Sequence, residues 1–294
     1  MQLKVFKYEA AGNDFAALWD PHANLPDGAP MEQLARALCD RRRGIGADGI
    51  LVLRPADVPG ADFRMVYHNA DGSRGEMCGN GARSIARFAR LMGMARDEMA
   101  FETDAGPYRA SLIPGGAAVA FPPVPGLPGA RPAEANGRAW QIDFLRVGVP
   151  HAVVWVEDLA SLDVAANGHA LRHHAAFAPA GTNVNFATPD PDDPTLVRIR
   201  TYERGVEAET LACGTGSTAT ALCRARRLGL SGAQTMRIVP TSGETLTIGF
   251  RLTADGAEDV TLSGPARLVF STVLEWDPAT GALLPFDAAL GRKL

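Results

Sequence analysis

Two stretches of this chain repeat one another: Met77-Cys-Gly-Asn-Gly-Ala-Arg-Ser-Ile-Ala-Arg and Ala212-Cys-Gly-Thr-Gly-Ser-Thr-Ala-Thr-Ala-Leu. Both read x-Cys-Gly-x-Gly and run into a helical pattern, and their cysteines, Cys78 and Cys213, stand 135 positions apart in a chain of 294 residues. Internal similarity at a spacing near half the length is the mark of a duplicated unit. Two similar halves, each carrying one copy, are therefore expected, and the length suits two modest domains better than one.

The local patterns fill in the halves. After Gly81 the apolar residues Ile85, Phe88, Ala89 and Met92 recur at intervals of three and four, and Gly93 stops the run. After Gly216 the residues Ala219, Leu222 and Cys223 repeat the theme up to Gly229, with Arg224, Arg226 and Arg227 in the closing turns. Each cysteine thus falls just before or at a helix start. Short strands bounded by turn residues are expected at Leu3–Tyr8, Ile50–Arg54, Phe63–Tyr67, Arg109–Ile113, Ala152–Val156, Val197–Thr201, Met236–Val239, Thr245–Phe250 and Arg267–Leu274. Many strands per helix give an α/β (α+β) fold class. The stretch Pro122-Pro-Val-Pro-Gly-Leu-Pro-Gly129 reads as a connection rather than a strand or helix, which places the boundary between an N-terminal half, 1–121, and a C-terminal half, 122–265.

Composition excludes several classes of function. With 46% hydrophobic and 21% charged residues and a net charge of −4, the chain reads as an ordinary soluble globular protein and not as a nucleic-acid binder. The one basic cluster, Arg41-Arg42-Arg43, ends a helical-looking stretch, where cations favour the negative end of the helix. The N-terminal residues lack the basic start and apolar core of a signal peptide, and no segment offers the ~18 apolar residues of a membrane span, so a cytoplasmic protein is expected. Four cysteines without a CxxC arrangement are too few for a disulfide framework and are expected as free thiols. Gly44-Ile-Gly-Ala-Asp-Gly49 satisfies GxGxxG formally, but the strand-like Ile50-Leu-Val-Leu-Arg follows it where dinucleotide binding needs a helix. His169, His173 and His174 have no acidic or cysteine partners nearby in sequence, so they read as a surface helix and no metal is expected. No lysine and phosphate cradle of the pyridoxal type is recognisable, so no organic cofactor is expected either.

The twin helix starts point to proton transfer. A helix N-terminus presents unpaired N–H groups and about half a positive charge. A thiol placed there ionises more readily than the usual value of about 8.5 allows, and the same N–H groups can hold a carboxylate that glycines let approach closely. Two such starts could grip an amino acid by its α-carboxylate, one thiolate removing the α-proton while the other thiol returns one, with charge on the carboxylate stabilised by the aimed N–H groups. Cys39 and Cys223 lack this setting and read as packing residues. A disulfide between Cys78 and Cys213 would be an oxidised, inactive form.

The motifs in combination resemble the diaminopimelate epimerase family over nearly the whole chain. They are Gly12-Asn-Asp-Phe15, Gly44-Ile-Gly-Ala-Asp-Gly49, Asn69-Ala-Asp-Gly-Ser73, Met77-Cys-Gly-Asn-Gly-Ala-Arg83, Pro150-His151, Gly181-Thr-Asn-Val-Asn-Phe186, Glu203-Arg-Gly205 and Glu209-Thr-Leu-Ala-Cys-Gly-Thr-Gly216. The resemblance implies two pseudo-symmetric halves, each a barrel-like, mainly antiparallel sheet around a central helix, with 266–277 returning to the first half and 278–294 as a tail. It implies cofactor-independent epimerisation of LL- to meso-diaminopimelate in lysine and peptidoglycan precursor synthesis, and a homodimer. The family's catalytic thiols match Cys78 and Cys213, and its supporting histidine and glutamate match His151 and Glu203. Its N–H cradle matches Gly79, Asn80, Gly214 and Thr215, and its groups for the distal end of the substrate match Asn13, Asn69, Asn183 and Arg204. On chemical grounds Glu203 beside His151 would keep the imidazole oriented and basic, and arginine and asparagine suit a distal carboxylate and ammonium.

The chain departs from the family pattern at Val149, at Gly49 and at Ser84, and its loop Val206-Glu207-Ala208 is one residue longer than in many members. A proline or hydroxyproline racemase is the nearest rival; such enzymes resemble this architecture but tend to carry histidine where Asn80 stands. An isomerase of the phenazine-synthesis type lacks the cysteine pair. A non-catalytic amino-acid-binding protein would bind without exchanging an α-proton.

Overall fold

The computed structural model describes residues 1–284, and the chain divides into two compact units, Met1–Val119 with the segment from Ala266 onward, and Ala120–Pro265. In the first unit β1 (Gln2–Ala10), β2 (Asn13–Trp19), β3 (Gly49–Arg54), β4 (Phe63–Asn69), β5 (Glu98–Thr103) and β6 (Gly106–Ile113) pair in that order. The pairings alternate: β1–β2, β3–β4 and β5–β6 are antiparallel, whereas β2–β3 and β4–β5 are parallel. A parallel pair cannot be joined by a tight turn. Helices supply both crossovers, α1 (Ala29–Cys39) between β2 and β3 and α2 (Gly79–Leu91) between β4 and β5.

The second unit repeats this plan. Its strands are β7 (Ile142–Val147), β8 (Val149–Trp155), β9 (Asn183–Pro189), β10 (Leu196–Glu203), β11 (Ala208–Thr210), β12 (Gly232–Val239), β13 (Leu246–Leu252) and β14 (Gly256–Pro265), and its helices are α3 (Val164–Arg172) and α4 (Gly214–Arg227). The pairs β7–β8 and β9–β10 are antiparallel, while β8–β9, bridged by α3, and β10–β12, bridged by α4, are parallel. The duplication read from eleven residues around each cysteine therefore extends to strand order and direction. The chain then returns to the first unit as β15 (Arg267–Asp277), antiparallel to β1.

Helices α2 and α4 sit among the strands. Strands β1, β2, β3, β4 and β6 pack on α2; strands from β7 to β14, β11 excepted, pack on α4. Phe88 of α2 meets Phe6 and Tyr8 with ring centroids 4.9 and 5.7 Å apart. On the other side of the first sheet, Met31, Leu34 and Leu38 of α1 join Leu18, Ile50, Val52 and Trp276 in a second layer of core. With a helix on each face, β3 is buried along its whole length, as its unbroken apolar run demands. Helix α4 is built from Ser, Thr and Ala, small enough for strands to approach, and its buried hydroxyls bond back one turn: Ser217 to Cys213 C=O, Thr218 to Gly214 C=O and Thr220 to Gly216 C=O. Both helices end where glycine permits φ > 0, at Gly93 (75°) and Gly229 (67°).

The proline-rich stretch at 122–129 is not a bare connection. Val124–Pro125 pairs with Gly256 and Ala257, and Gly129–Ala130 pairs with Phe144 and Asp143. Proline has no N–H for a ladder, so each pairing stops after two residues. Of the segment 278–294 expected as a tail, Ala282–Leu283 pairs with Trp276 and Asp277, and 285–294 lie outside the described residues.

Candidate active site

Cys78 is the N-cap of α2, its extended backbone (φ −136°) turning the chain into the helix while Gly81 N–H points at its sulfur. A hydrogen-bond network from two motifs of the first unit begins at the thiol. Cys78 Sγ lies 3.7 Å from Asn13 Oδ1, which Asn80 Nδ2 approaches to 3.5 Å. Asn13 Nδ2 in turn donates to Asp48 at 2.5 Å. Asp48 and Asp14 are locked to one another through their backbone N–H groups and share Arg41, whose guanidinium lies 2.7 Å from Asp48 and 2.9 Å from Asp14. Burial alone would raise the Asp14 carboxyl, but hydrogen bonds from Arg41 and Lys7 hold it below the usual value. Arg41 therefore answers two carboxylates beneath Asn13 rather than the end of α1, because a charge-assisted bond outweighs a screened helix end. Asn69, on β4, accepts from Tyr67 OH at 2.6 Å and donates to Ser73 Oγ at 3.0 Å.

Behind the thiol lies a group that no sequence pattern assigned. Arg83 is fully buried on α2, with Nη2 2.9 Å from Asn80 Oδ1 and Nη1 3.3 Å from Gly79 C=O. Burial pulls the guanidinium down to about 10, while negative charge at Cys78 and at Glu9 pushes it back up. It remains a cation at neutral pH, and the attraction is mutual: what Cys78 does for Arg83, Arg83 does for a Cys78 thiolate.

Cys213 is the N-cap of α4 and is buried, 7% exposed. Its sulfur lies 3.6 Å from Thr215 Oγ1 and donates to the Glu203 carboxylate. Glu203, at the end of β10, also accepts from Thr210 Oγ1 at 2.5 Å. Burial pushes its carboxyl up, against the pull of the hydrogen bonds from Thr210 and Cys213. The backbone N–H groups of Gly79 and Asn80, and of Gly214 and Thr215, belong to the first turns of α2 and α4, the positive ends of the two helices.

His151 differs from expectation. It is wholly buried on β8, with Nδ1 3.2 Å from Asn185 Nδ2. The Asn185 amide is oriented by its other bonds, Nδ2 to Ala152 C=O at 3.2 Å and Oδ1 from Thr201 Oγ1 at 3.1 Å. Nδ1 of His151 is thus an acceptor and Nε2 carries the proton, with no protein partner among the described residues. Burial and the charge of Arg204 push this imidazole down to about 3. The expected basic histidine beside Glu203 is replaced by a neutral N–H donor, since no carboxylate offsets the loss of water. Asn185 was missed, although Asn183 and Asn185 share one face of a strand by their spacing of two. Asn183 itself accepts from Arg204 N–H at 2.7 Å and donates to Pro150 C=O at 3.3 Å, and Arg204 Nη1 donates to Ala180 C=O at 3.2 Å. Both residues thus hold the local backbone.

The remaining expectations divide. All four cysteines are free thiols; Cys39 and Cys223 are buried, the first pushed up to about 12 and the second also well up by desolvation, as packing residues should be. His169 lies on α3 and His173 caps it, but His174 falls past its end. Contrary to the reading of these histidines as having no acidic neighbour, Glu207 stands beside His169 and His173. No helix among the described residues is long and apolar enough to cross a membrane.

The profile of the family described as diaminopimelate epimerase matches residues 5–121 and 144–269. The chain belongs to the diaminopimelate epimerase family. It is 38% identical over 280 residues to the diaminopimelate epimerase of Aquifex aeolicus, covering 91% of this chain and 96% of that one. It is 43% identical over 262 residues to that of Chlorobaculum tepidum, covering 88% and 96%. Among solved structures, a phenazine biosynthesis protein of the PhzF family from Bacillus anthracis superposes with a TM-score of 0.72 at 16% identity, over 94% of this chain and 99% of that one. At that identity the likeness is one of fold.

Proposed function

We propose that this chain epimerises diaminopimelate between its LL and meso forms without an organic cofactor, using Cys78 and Cys213 as the two proton-transfer groups. The observation that carries the reading is the placement of both thiols as N-caps of the two buried helices, each at the positive end of a helix, where a carboxylate is favoured. One sulfur takes the α-proton as thiolate and the other returns a proton as thiol; the carboxylate charge that develops is met by the N–H groups of Gly79, Asn80, Gly214 and Thr215. Glu203 accepts a hydrogen bond from the Cys213 thiol, and the Nε2–H of His151 is a fixed donor to substrate or sulfur, not a base. Asn13, Asn69, Asn183 and Arg204 recognise the distal ammonium and carboxylate.

In this reading the protein acts in the cytoplasm, as a homodimer. An unusually apolar strand supports the dimer: on β15 Leu268 and Phe270 on one face, and Val269 and Val273 on the other, are 43%, 45%, 58% and 56% exposed, apolar surface that association would cover. The activity is tested by proton NMR of LL-diaminopimelate with reduced protein in D2O, with proline in parallel. Loss of the α-proton signal with growth of the meso isomer is expected. Exchange with proline alone, or with neither, would overturn the reading.

A further inference from the structure

Two sequence features that the epimerase chemistry leaves unused, the histidines of α3 and the lengthened loop Val206-Glu207-Ala208, meet at one place on the second unit. His169 and His173 are spaced i,i+4 and so share a face of α3, and the turn between them is intact, with His173 N–H 3.3 Å from His169 C=O. Their rings lie 4.8 Å apart between centroids. Glu207 comes from the turn joining β10 to β11, where it adopts φ 56° and its N–H bonds Glu203 C=O at 2.8 Å. One donor atom from each of the three residues falls within 4.8 Å of the others. Glu207 Oε2 lies 3.5 Å from His173 Nε2, near the ~3.3 Å edge of a tetrahedral site with metal–ligand distances of about 2.0–2.1 Å.

The surroundings hold these groups in place. Glu207 Oε1 accepts from Gly205 N–H and from Arg172 Nε, each at 3.1 Å, which leaves Oε2 turned toward His173. Tyr202 OH stands 3.4 Å from His169 Nδ1. Hydrogen bonds of this kind to carboxylate and imidazole ligands orient metal sites.

We propose that His169, His173 and Glu207 form a surface site for a divalent transition-metal ion. Two imidazoles and one carboxylate suit zinc, nickel or cobalt rather than magnesium or calcium, with water completing the coordination. The ion ties α3 to the turn that begins at Glu203 and Arg204. The site stands whether or not the epimerase reading does.

The test is titration of the full-length protein with Co2+ or Ni2+, followed by calorimetry and by the cobalt absorption spectrum, for wild type and for His169→Ala, His173→Ala and Glu207→Gln. All three side chains are exposed, so the variants keep the fold, which circular dichroism checks. The expected result is one ion per chain with a spectrum of nitrogen and oxygen ligands, weakened about tenfold or more by each histidine substitution. Slower amide exchange across 203–208 on adding Ni2+ is expected in wild type only. No binding, binding unchanged in the histidine variants, or a sulfur-to-cobalt band that places the ion on cysteine would overturn the proposal.

Discussion

Cys78 and Cys213 occupy equivalent positions in the two repeats, yet what lies behind them differs in sign. Behind Cys78 is the buried cation of Arg83; the position that corresponds to Arg83 is Thr218, whose hydroxyl only bonds back to Gly214 C=O. Behind Cys213 is Glu203, a carboxyl raised by burial that accepts a hydrogen bond from the thiol. A cation favours thiolate and a carboxylate favours thiol. Both copies keep the cysteine at a helix start while the groups behind it differ, which on the proposed function biases Cys78 toward accepting a proton and Cys213 toward giving one.

The largest effect should come from the sulfurs themselves. Cys78→Ala or Cys213→Ala is expected to lower epimerisation by about a thousandfold or more in a steady-state assay, because each removes one proton-transfer group; near-normal turnover in either would break the two-base account. Next comes the charge behind Cys78. Arg83→Met should reduce kcat/KM about tenfold and move the rising limb of its pH profile to higher pH, since a thiolate without its cation ionises later. Lys at 83 should restore part of the shift, and Thr218→Val should leave the profile in place. An Arg83→Met enzyme with lower activity but an unmoved limb would make Arg83 merely structural.

The glycines that follow the two cysteines give a smaller, structural contrast. A Cβ on Gly216 would lie 2.2 Å from Asn185 Oδ1, an atom held by Thr201 and backed by the His151 contact, whereas a Cβ on Gly81 would come closest to two side-chain tips, Leu51 Cδ2 at 3.1 Å and Met65 Cε at 3.3 Å. Gly216→Ala should cost about 1–3 kcal/mol by urea denaturation, and Gly81→Ala less than about 1 kcal/mol. Equal losses would contradict the difference in packing. The smallest effect concerns His151: held down to about 3, it stays neutral from pH 5 to 9, so His151→Asn should lower the rate without removing any limb of the pH profile near the ordinary histidine value.

The sequence made the cysteine sites legible because their signal is local. A Cys-Gly-x-Gly start and an apolar period fix an N-cap within a few residues, and Gly93 and Gly229 mark the ends. Strands with dense Val, Ile and Leu, such as Gly49–Arg54, were readable for the same reason. Gly256–Pro265 was not: its buried Ala257, Val260 and Leu262 alternate with Glu258, Asp259 and Thr261 beside them, and only the sheet reveals which face is inward. Nor could sequence spacing reveal that Arg41 reaches Asp14 and Asp48, or that Asn185 meets His151. Charge on a side chain is legible; the burial and partners that set its protonation come from residues far apart in the chain.

The asymmetry of the two thiols can be measured directly by following thiolate absorbance in the ultraviolet against pH for Cys213→Ser and Cys78→Ser. Cys39 and Cys223 are held too high by burial to ionise in the neutral range, so each variant reports on one active-site sulfur. The account predicts that the thiol remaining in Cys213→Ser ionises at lower pH than the one remaining in Cys78→Ser. Coincident or reversed titrations would contradict it.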